Sequence, residues 1–223
     1  MFIAETFFSI QGEGSLIGVP SVFIRTSGCN LRCVWCDTPY TSWRPEGAHR
    51  TVGELLAYVE SHSRGYVVIT GGEPMIAPEI VELTRGLRAQ GQHITIETAG
   101  TVFAPVACDL MSISPKLANS TPRGEWGERH EALRYQPGVL RRLMADYEYQ
   151  LKFVIASEDD LPEVGGIVAD LGAPAHKVIL MPEGTSEAVL RERSLWLSEI
   201  CKQEGYRFTP RLHVHLYGNR RGT

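Results

Sequence analysis

The sequence lacks any apolar run near the ~20 residues that a membrane-spanning helix needs, and its start, M-F-I-A-E-T, has no basic segment leading into an apolar one. Neither a membrane partner nor a secretory leader is expected, and the chain is expected in the cytoplasm. It also lacks net positive charge: at −4 over 223 residues there is no basic footprint to predict nucleic acid as a partner, and Arg220-Arg221 reads as a solvated tail. No internal repeat, low-complexity tract or shift in composition divides it, so a single domain over residues 1–223 is expected. Nor do the cysteines form a disulfide framework. There are five, an odd number, and three of them crowd into eight residues, which fits a reducing compartment and a metal site.

That crowded stretch, Ser27–Tyr40 (S-G-C-N-L-R-C-V-W-C-D-T-P-Y), places Cys29, Cys33 and Cys36 in a C-x3-C-x2-C pattern. Three thiolates can share one inorganic centre but cannot all pair with each other. An iron-sulfur cube needs four ligands, so three protein sulfurs leave one iron open to a small molecule; a structural zinc needs a fourth protein ligand. His49 could serve zinc, yet no second C-x2-C or H-x3-H exists to build a usual finger. Cys108 and Cys201 lie in apolar contexts and read as core.

Around this loop, hydrophobic periodicity alternates between strand and helix. Strands are expected at residues 3–10, Ser21–Thr26, Tyr66–Thr70, His93–Thr98, Asp109–Ser114, Gln150–Ala156, Val178–Met181 and Leu212–Leu216. Helices are expected at Thr51–Ser63 behind a T-x-x-E capping box, between Pro78 and Gly91, and at Asp159–Leu171 and Ser186–Glu204. Residues 117–136, with Pro, Gly and mixed charge, predict a flap or surface loop. Strands separated by helices imply a parallel sheet, and about six such units are too few to close an eightfold barrel. The expected fold is a single-domain incomplete α/β barrel with about six parallel strands and the cysteine loop after the first core strand. Chemistry then belongs at the carboxyl ends of the strands, where that loop, Gly71–Pro74, Glu97–Gly100, Ser112–Lys116 and Met181–Gly184 would share one mouth.

The C-x3-C-x2-C order, with Trp35 ahead of the third cysteine, resembles the signature of the radical S-adenosylmethionine enzymes, and Gly71-Gly72-Glu73-Pro74 resembles a glycine-glycine-glutamate-proline strand end of that superfamily. Within it, F-S-I-Q-G-E-G, V-F-I-R-T-S-G-C, C-D-T, V-I-T-G-G-E-P, I-E-T-A-G-T, S-I-S-P-K and H-V-H-L-Y-G-N together are similar to the 7-carboxy-7-deazaguanine synthase family, from about residue 5 to the C-terminus. The resemblance implies a carbon-nitrogen lyase. It would convert 6-carboxy-5,6,7,8-tetrahydropterin to 7-carboxy-7-deazaguanine with loss of ammonia, a step toward queuosine and other deazapurines. The implied cofactors are a [4Fe-4S] cluster on Cys29, Cys33 and Cys36, S-adenosylmethionine on the open iron, and Mg2+ on Thr38. S-Adenosylmethionine would yield a 5′-deoxyadenosyl radical and be regenerated, so no side chain is assigned as acid or base.

By the same resemblance, Trp35, Asp37, Gly72, Glu73, Ser114, Pro115, Lys116, Met181, Pro182, Glu183 and Gly184 are implied to contact the cofactor. Ile10, Gln11, Gly12, Glu13, Arg25, Thr70, Glu97, His215 and Thr223 are implied to contact the substrate. The chemistry of these side chains suits such a ligand, since glutamine and glutamate match an amide and amino edge, and a guanidinium grips a carboxylate in two-pronged fashion. A homodimer and an electron donor such as flavodoxin or ferredoxin are implied as well. Two alternatives stand beside this one: a glycyl-radical-enzyme activase, which shares the cysteine spacing, and a zinc-stabilised binding module.

Overall fold

A computed structural model describes residues 1–223. Nine strands form one open sheet: β1 (Phe2–Ile10), β2 (Pro20–Thr26), β3 (Ala48–His49), β4 (Tyr66–Gly71), β5 (His93–Thr98), β6 (Leu110–Ile113), β7 (Tyr149–Ile155), β8 (Val178–Pro182) and β9 (Arg207–Phe208). Their order is β3-β1-β2-β4-β5-β6-β7-β8-β9. β1 runs antiparallel to β2 and β3, and every pair from β2 through β9 is parallel. The helices are α1 (Pro39–Ser42), α2 (Val52–His62), α3 (Ile80–Ala89), α4 (Gly127–Arg134), α5 (Pro137–Asp146), α6 (Leu161–Leu171), α7 (Glu187–Glu204) and α8 (Leu212–Tyr217). The sheet does not close, so the molecule is the expected incomplete α/β barrel, with the cysteine loop hanging from β2. None of the helices is long and apolar enough to cross a membrane.

Each parallel strand buries one face against helices and turns the other inward. Val22 and Ile24 of β2, Val67 and Ile69 of β4, Ile94 and Ile96 of β5, and Leu151, Phe153 and Ile155 of β7 join a core of 32 buried residues that also takes Leu55, Val59, Leu83 and Leu87 from α2 and α3. The alternate positions Phe23, Arg25, Thr70, Glu97, Lys152 and Val154 line a cavity on the inner side. The capping box opening α2 is formed: Glu54 N–H donates to Thr51 Oγ1 at 3.2 Å, and Thr51 N–H donates to Glu54 Oε2 at 2.7 Å, an arrangement worth about 1 kcal/mol.

Three expectations change. Leu212–Leu216 is helical, not a strand: apolar residues at 212, 214 and 216 mimic a period of two, but the Val214 and His215 amides fold back onto the Arg211 carbonyl at 3.0 and 3.3 Å. The sheet edge it would have occupied belongs to β9, a two-residue strand too short to read from pattern, which brings the parallel run to β2 and β4 through β9. Residues 117–136 are not an irregular flap. They hold a short 3-10 turn and α4, and α5 follows directly behind, opening on Pro137.

Candidate active site

A cavity of about 320 Å³ opens at the carboxyl ends of the strands, and the three clustered cysteines line it together with Gln11, Gly12, Glu13, Arg25, Thr70 and Glu97. On one side runs the loop from Ser27 to Thr38. Its backbone is fixed from several directions: Gly28 N–H donates to Thr41 O at 2.8 Å, Val34 N–H to Ser120 O at 2.9 Å, and the Trp43 indole to the Cys33 carbonyl at 3.0 Å. Trp35, itself in the cavity wall, donates to Asn119 O at 3.1 Å. Beneath the loop, buried His130 accepts from the Arg32 amide at Nδ1 (3.0 Å); Nε2 therefore carries the proton and donates to Ser120 Oγ at 2.9 Å. Burial keeps that imidazole neutral by pulling its pKa down.

Gly71 and Gly72 serve this loop in a way different from direct approach to a ligand. A Cβ on Gly72 would lie 2.0 Å from the Gly28 carbonyl oxygen, and Glu73 N–H donates to that oxygen at 2.9 Å, so the glycines let the end of β4 press backbone to backbone against the cysteine loop. Glu73 is fully buried behind them and outside the cavity wall. Its carboxylate accepts from Thr98 Oγ1 at 2.7 Å, Ala99 N–H at 2.8 Å and Met75 N–H at 3.1 Å, joining β4 to β5. Burial raises its pKa, and those three donors oppose the rise.

The facing wall is a row set by strand register. Glu5 pairs with Arg25, Arg25 with Thr70, Glu97 with Ser112, and Ser112 with Gln150, while Thr70 and Glu97 follow the Ile69–Ile96 pair. Thr70 donates to Glu97 at 2.8 Å, Gln11 donates to the other Glu97 oxygen at 3.0 Å, and Gln150 donates to Ser112 at 2.8 Å. Arg25 forms an ion pair with Glu5 at 3.4 Å and Arg221 reaches the other Glu5 oxygen at 3.5 Å, yet Arg25 Nε and both Glu5 oxygens are buried without a hydrogen-bond partner. An anionic group entering here would meet a guanidinium with donors to offer.

Glu13 anchors the rest of that wall. Lys152 forms an ion pair with it and Arg211 Nε reaches it at 3.1 Å, while Arg211 also pairs with Asp37. Burial alone would raise the Glu13 carboxyl, but Lys152, Arg211 and His213 hold it far below the ordinary carboxylate range, and Glu13 in turn keeps buried Lys152 charged.

Most of the residues implied by sequence meet in this one space: Ile10, Trp35, Asp37, Thr38, Gly72, Ser114, Lys116, Met181, Glu183 and Thr223 all line the cavity. Lys116 folds back onto Ser114, donating to its carbonyl and hydroxyl at 2.8 and 2.9 Å, and Glu183 is paired with Arg193 of α7. Pro115, Pro182, Gly184 and Glu73 lie outside the wall. So does His215: helical α8 turns it to solvent, and His213, two residues earlier, takes the inward position against Gly12. Sequence reasoning missed Lys152, Arg211 and His213. For Lys152 a signal existed, since Gln150, Lys152 and Val154 alternate with Leu151, Phe153 and Ile155; Arg211 carried none.

Comparison with known proteins now bears on the chemistry. The Radical SAM superfamily description matches residues 23–123. A 7-carboxy-7-deazaguanine synthase from Rhodopirellula baltica is 47% identical over 100% of this chain and 89% of its own, and one from Halobacterium salinarum is 44% identical over 97% and 90%. The crystal structure of QueE from Escherichia coli superposes with a TM-score of 0.69 at 26% identity, covering 95% of this chain and 94% of that one. The chain belongs to the 7-carboxy-7-deazaguanine synthase family. Membership in this radical S-adenosylmethionine family implies a [4Fe-4S] cluster and S-adenosylmethionine, and it displaces the activase and zinc-module alternatives.

The residues present fit that cluster. All five cysteines are free, and Cys29, Cys33 and Cys36 face one cavity. Three thiolates would leave a cube one open iron for a small molecule, whereas a structural zinc needs a fourth protein ligand, and His49 lies on the exposed edge strand β3. Burial pushes the Cys29 thiol up to about 12 and Cys33 to about 11, so both are thiols in the protein alone and a metal centre would favour their thiolate form.

Proposed function

We propose that this chain converts 6-carboxy-5,6,7,8-tetrahydropterin to 7-carboxy-7-deazaguanine with loss of ammonia, using the cluster and S-adenosylmethionine. The observation that carries the proposal is the meeting, in one cavity, of the three free cysteines with the Gln11–Glu97–Thr70 row and the unsatisfied Arg25. When bound, the cluster and S-adenosylmethionine supply one-electron hydrogen-atom abstraction and return, chemistry no protein side chain offers.

The chain's own residues bind, orient and exclude water. Arg25 takes the substrate carboxylate, and Gln11, Glu13 and Glu97 read the amide and amino edge of the pterin, their donors and acceptors already fixed by hydrogen bonds before the ligand arrives. Phe7 and Phe23, stacked with ring centroids 4.9 Å apart in the cavity wall, offer an apolar surface to the flat pyrimidine half of the pterin. Thr38, whose hydroxyl lies 3.8 Å from Cys36 Sγ, holds Mg2+ beside the substrate carboxylate, a hard oxygen donor for a hard cation. Ser114, Lys116, Met181 and Glu183 flank the cofactor. The tail closes the mouth, with Arg221 stacked 3.4 Å above Tyr40 and paired with Glu46 at 2.8 Å while Thr223 lines the cavity. A flavodoxin or ferredoxin supplies the electron, the enzyme works as a homodimer in the cytoplasm, and its product feeds queuosine or another deazapurine.

The test is anaerobic reconstitution with iron and sulfide, then incubation with S-adenosylmethionine, Mg2+, a reductant and carboxytetrahydropterin. Mass spectrometry should show a ring-contracted product lighter by ammonia. Unchanged pterin in a preparation that carries a full cluster would overturn the proposal.

A further inference from the structure

Arg211 precedes α8 with its side chain only 6% exposed, and its planar guanidinium reaches three different loops. Nε meets the Glu13 carboxylate at 3.1 Å, one terminal nitrogen donates to the Gly184 carbonyl at 2.6 Å, and the other pairs with Asp37. Asp37 sits between Cys36 and Thr38 in the cysteine loop. Glu13 belongs to the loop proposed to read the pterin. That second loop is mounted on the segment around Arg211 by backbone as well: Gly14 N–H donates to Thr209 Oγ1 at 2.8 Å, Leu212 N–H donates to Gly12 O at 2.9 Å, and the space a side chain on Gly12 would fill is taken by His213. The cysteine loop meets this segment through the Asp37–Arg211 pair.

We infer that Arg211 is a positioning residue that sets the spacing between the cluster-bearing loop and the substrate loop. A guanidinium has the fixed fork of donors needed to satisfy two carboxylates and a carbonyl at once, and a lysine ammonium does not. Without that fork each loop keeps its own anchors but loses its registration to the other. The catalytic consequence rests on the function proposed above; the mechanical coupling does not.

The experiment compares full-length wild type with Arg211→Lys and Arg211→Met. Hydrogen–deuterium exchange of the protein as purified is expected to rise several-fold in peptides covering 11–14 and 36–38 together, with 93–98 unchanged. After anaerobic reconstitution, Arg211→Lys should bind wild-type iron and keep KM for the pterin within about threefold, while kcat falls roughly 10²-fold, the scale of a small misplacement of reacting groups. In the same assay, 5′-deoxyadenosine and methionine released per product should rise, each uncoupled event consuming two equivalents of the added one-electron reductant, one to cleave S-adenosylmethionine and one that, with a proton from water, quenches the 5′-deoxyadenosyl radical. Exchange that rises in one loop alone or in neither, or activity lost only in proportion to lost iron with an unchanged ratio, would overturn the inference. If the methionine variant does not fold, the lysine variant, which keeps the charge, decides. Wild type that makes no product while the exchange result holds would count against the function and leave the coupling standing.

Discussion

The loop carrying Cys29, Cys33 and Cys36 is held mainly by backbone and neutral side-chain contacts, from the Trp43 and Trp35 indoles to neutral His130, and its Asp37 ties it to a facing wall held by charge, where Glu13 pairs with Lys152 and Arg211. The neutral side leaves charge compensation to what binds there: its thiols are pushed up to about 12 and 11 and await a cationic centre. On the charged side the cluster of Glu13, Lys152 and Arg211 is compensated internally before any ligand arrives, while Arg25 keeps a donor without a hydrogen-bond partner. One side is thus completed by its cofactor, and the other is framed by ion pairs within the protein.

Cys33→Ala breaks the comparison hardest. Turnover and the visible cluster absorbance should both vanish while far-ultraviolet circular dichroism is retained; retention of the absorbance would remove the cysteine from the cluster. On the charged side, Glu13→Gln leaves two buried cations short of a partner and should cost about 3 kcal/mol in denaturant unfolding. Its pH signature follows from sign: a carboxyl held below its ordinary value of 4.5 stabilises the fold above that pH and loses its contribution as pH falls toward the depressed value. Wild-type stability should therefore decline below about pH 4.5 more steeply than that of Glu13→Gln, and parallel profiles would place the charge elsewhere.

Gly72→Ala tests the neutral side without touching a thiol. A methyl 2.0 Å from a backbone carbonyl has nothing flexible to displace, so a loss of about 2 kcal/mol and lowered iron retention are expected, whereas Gly53→Ala, with open space around it, should be stable. Smallest is Thr38→Ala. It should blunt the stimulation of turnover by added Mg2+ with little change in melting temperature, and an undiminished metal response would relieve Thr38 of that role.

The parts legible in sequence were those where local pattern and chemistry coincide. The cysteine spacing marked a metal site, the resemblance to the radical S-adenosylmethionine signature made it a cluster, and β2, β4, β5 and β8 were plain as β-branched runs. Arg25, Thr70 and Glu97, polar residues in such runs, were implied as substrate contacts by the family resemblance. What stayed hidden depends on long-range partners. Glu73 was implied as a cofactor contact, and its bonds to Thr98 and Ala99, at the end of the next strand, could not be read from sequence. Arg211 is separated from Asp37 by 174 residues of chain and from Glu13 by 198, so no window of sequence contains the pair. His215 was implied by the resemblance; a strand would have turned His213 and His215 to one side, whereas helical α8 sets them on nearly opposite faces and leaves only His213 in the cavity wall.

The inward row from Glu5 through Arg25, Thr70, Glu97, Ser112 and Gln150 and the outward set of Val22, Ile24, Ile69, Ile96 and Leu151 share strands but point to opposite sides of the sheet, the outward set into the helix-packed core. Substitutions inside should add to those outside with little epistasis, so the same barrel can be fitted with a different pocket while its helices and their core remain as they are.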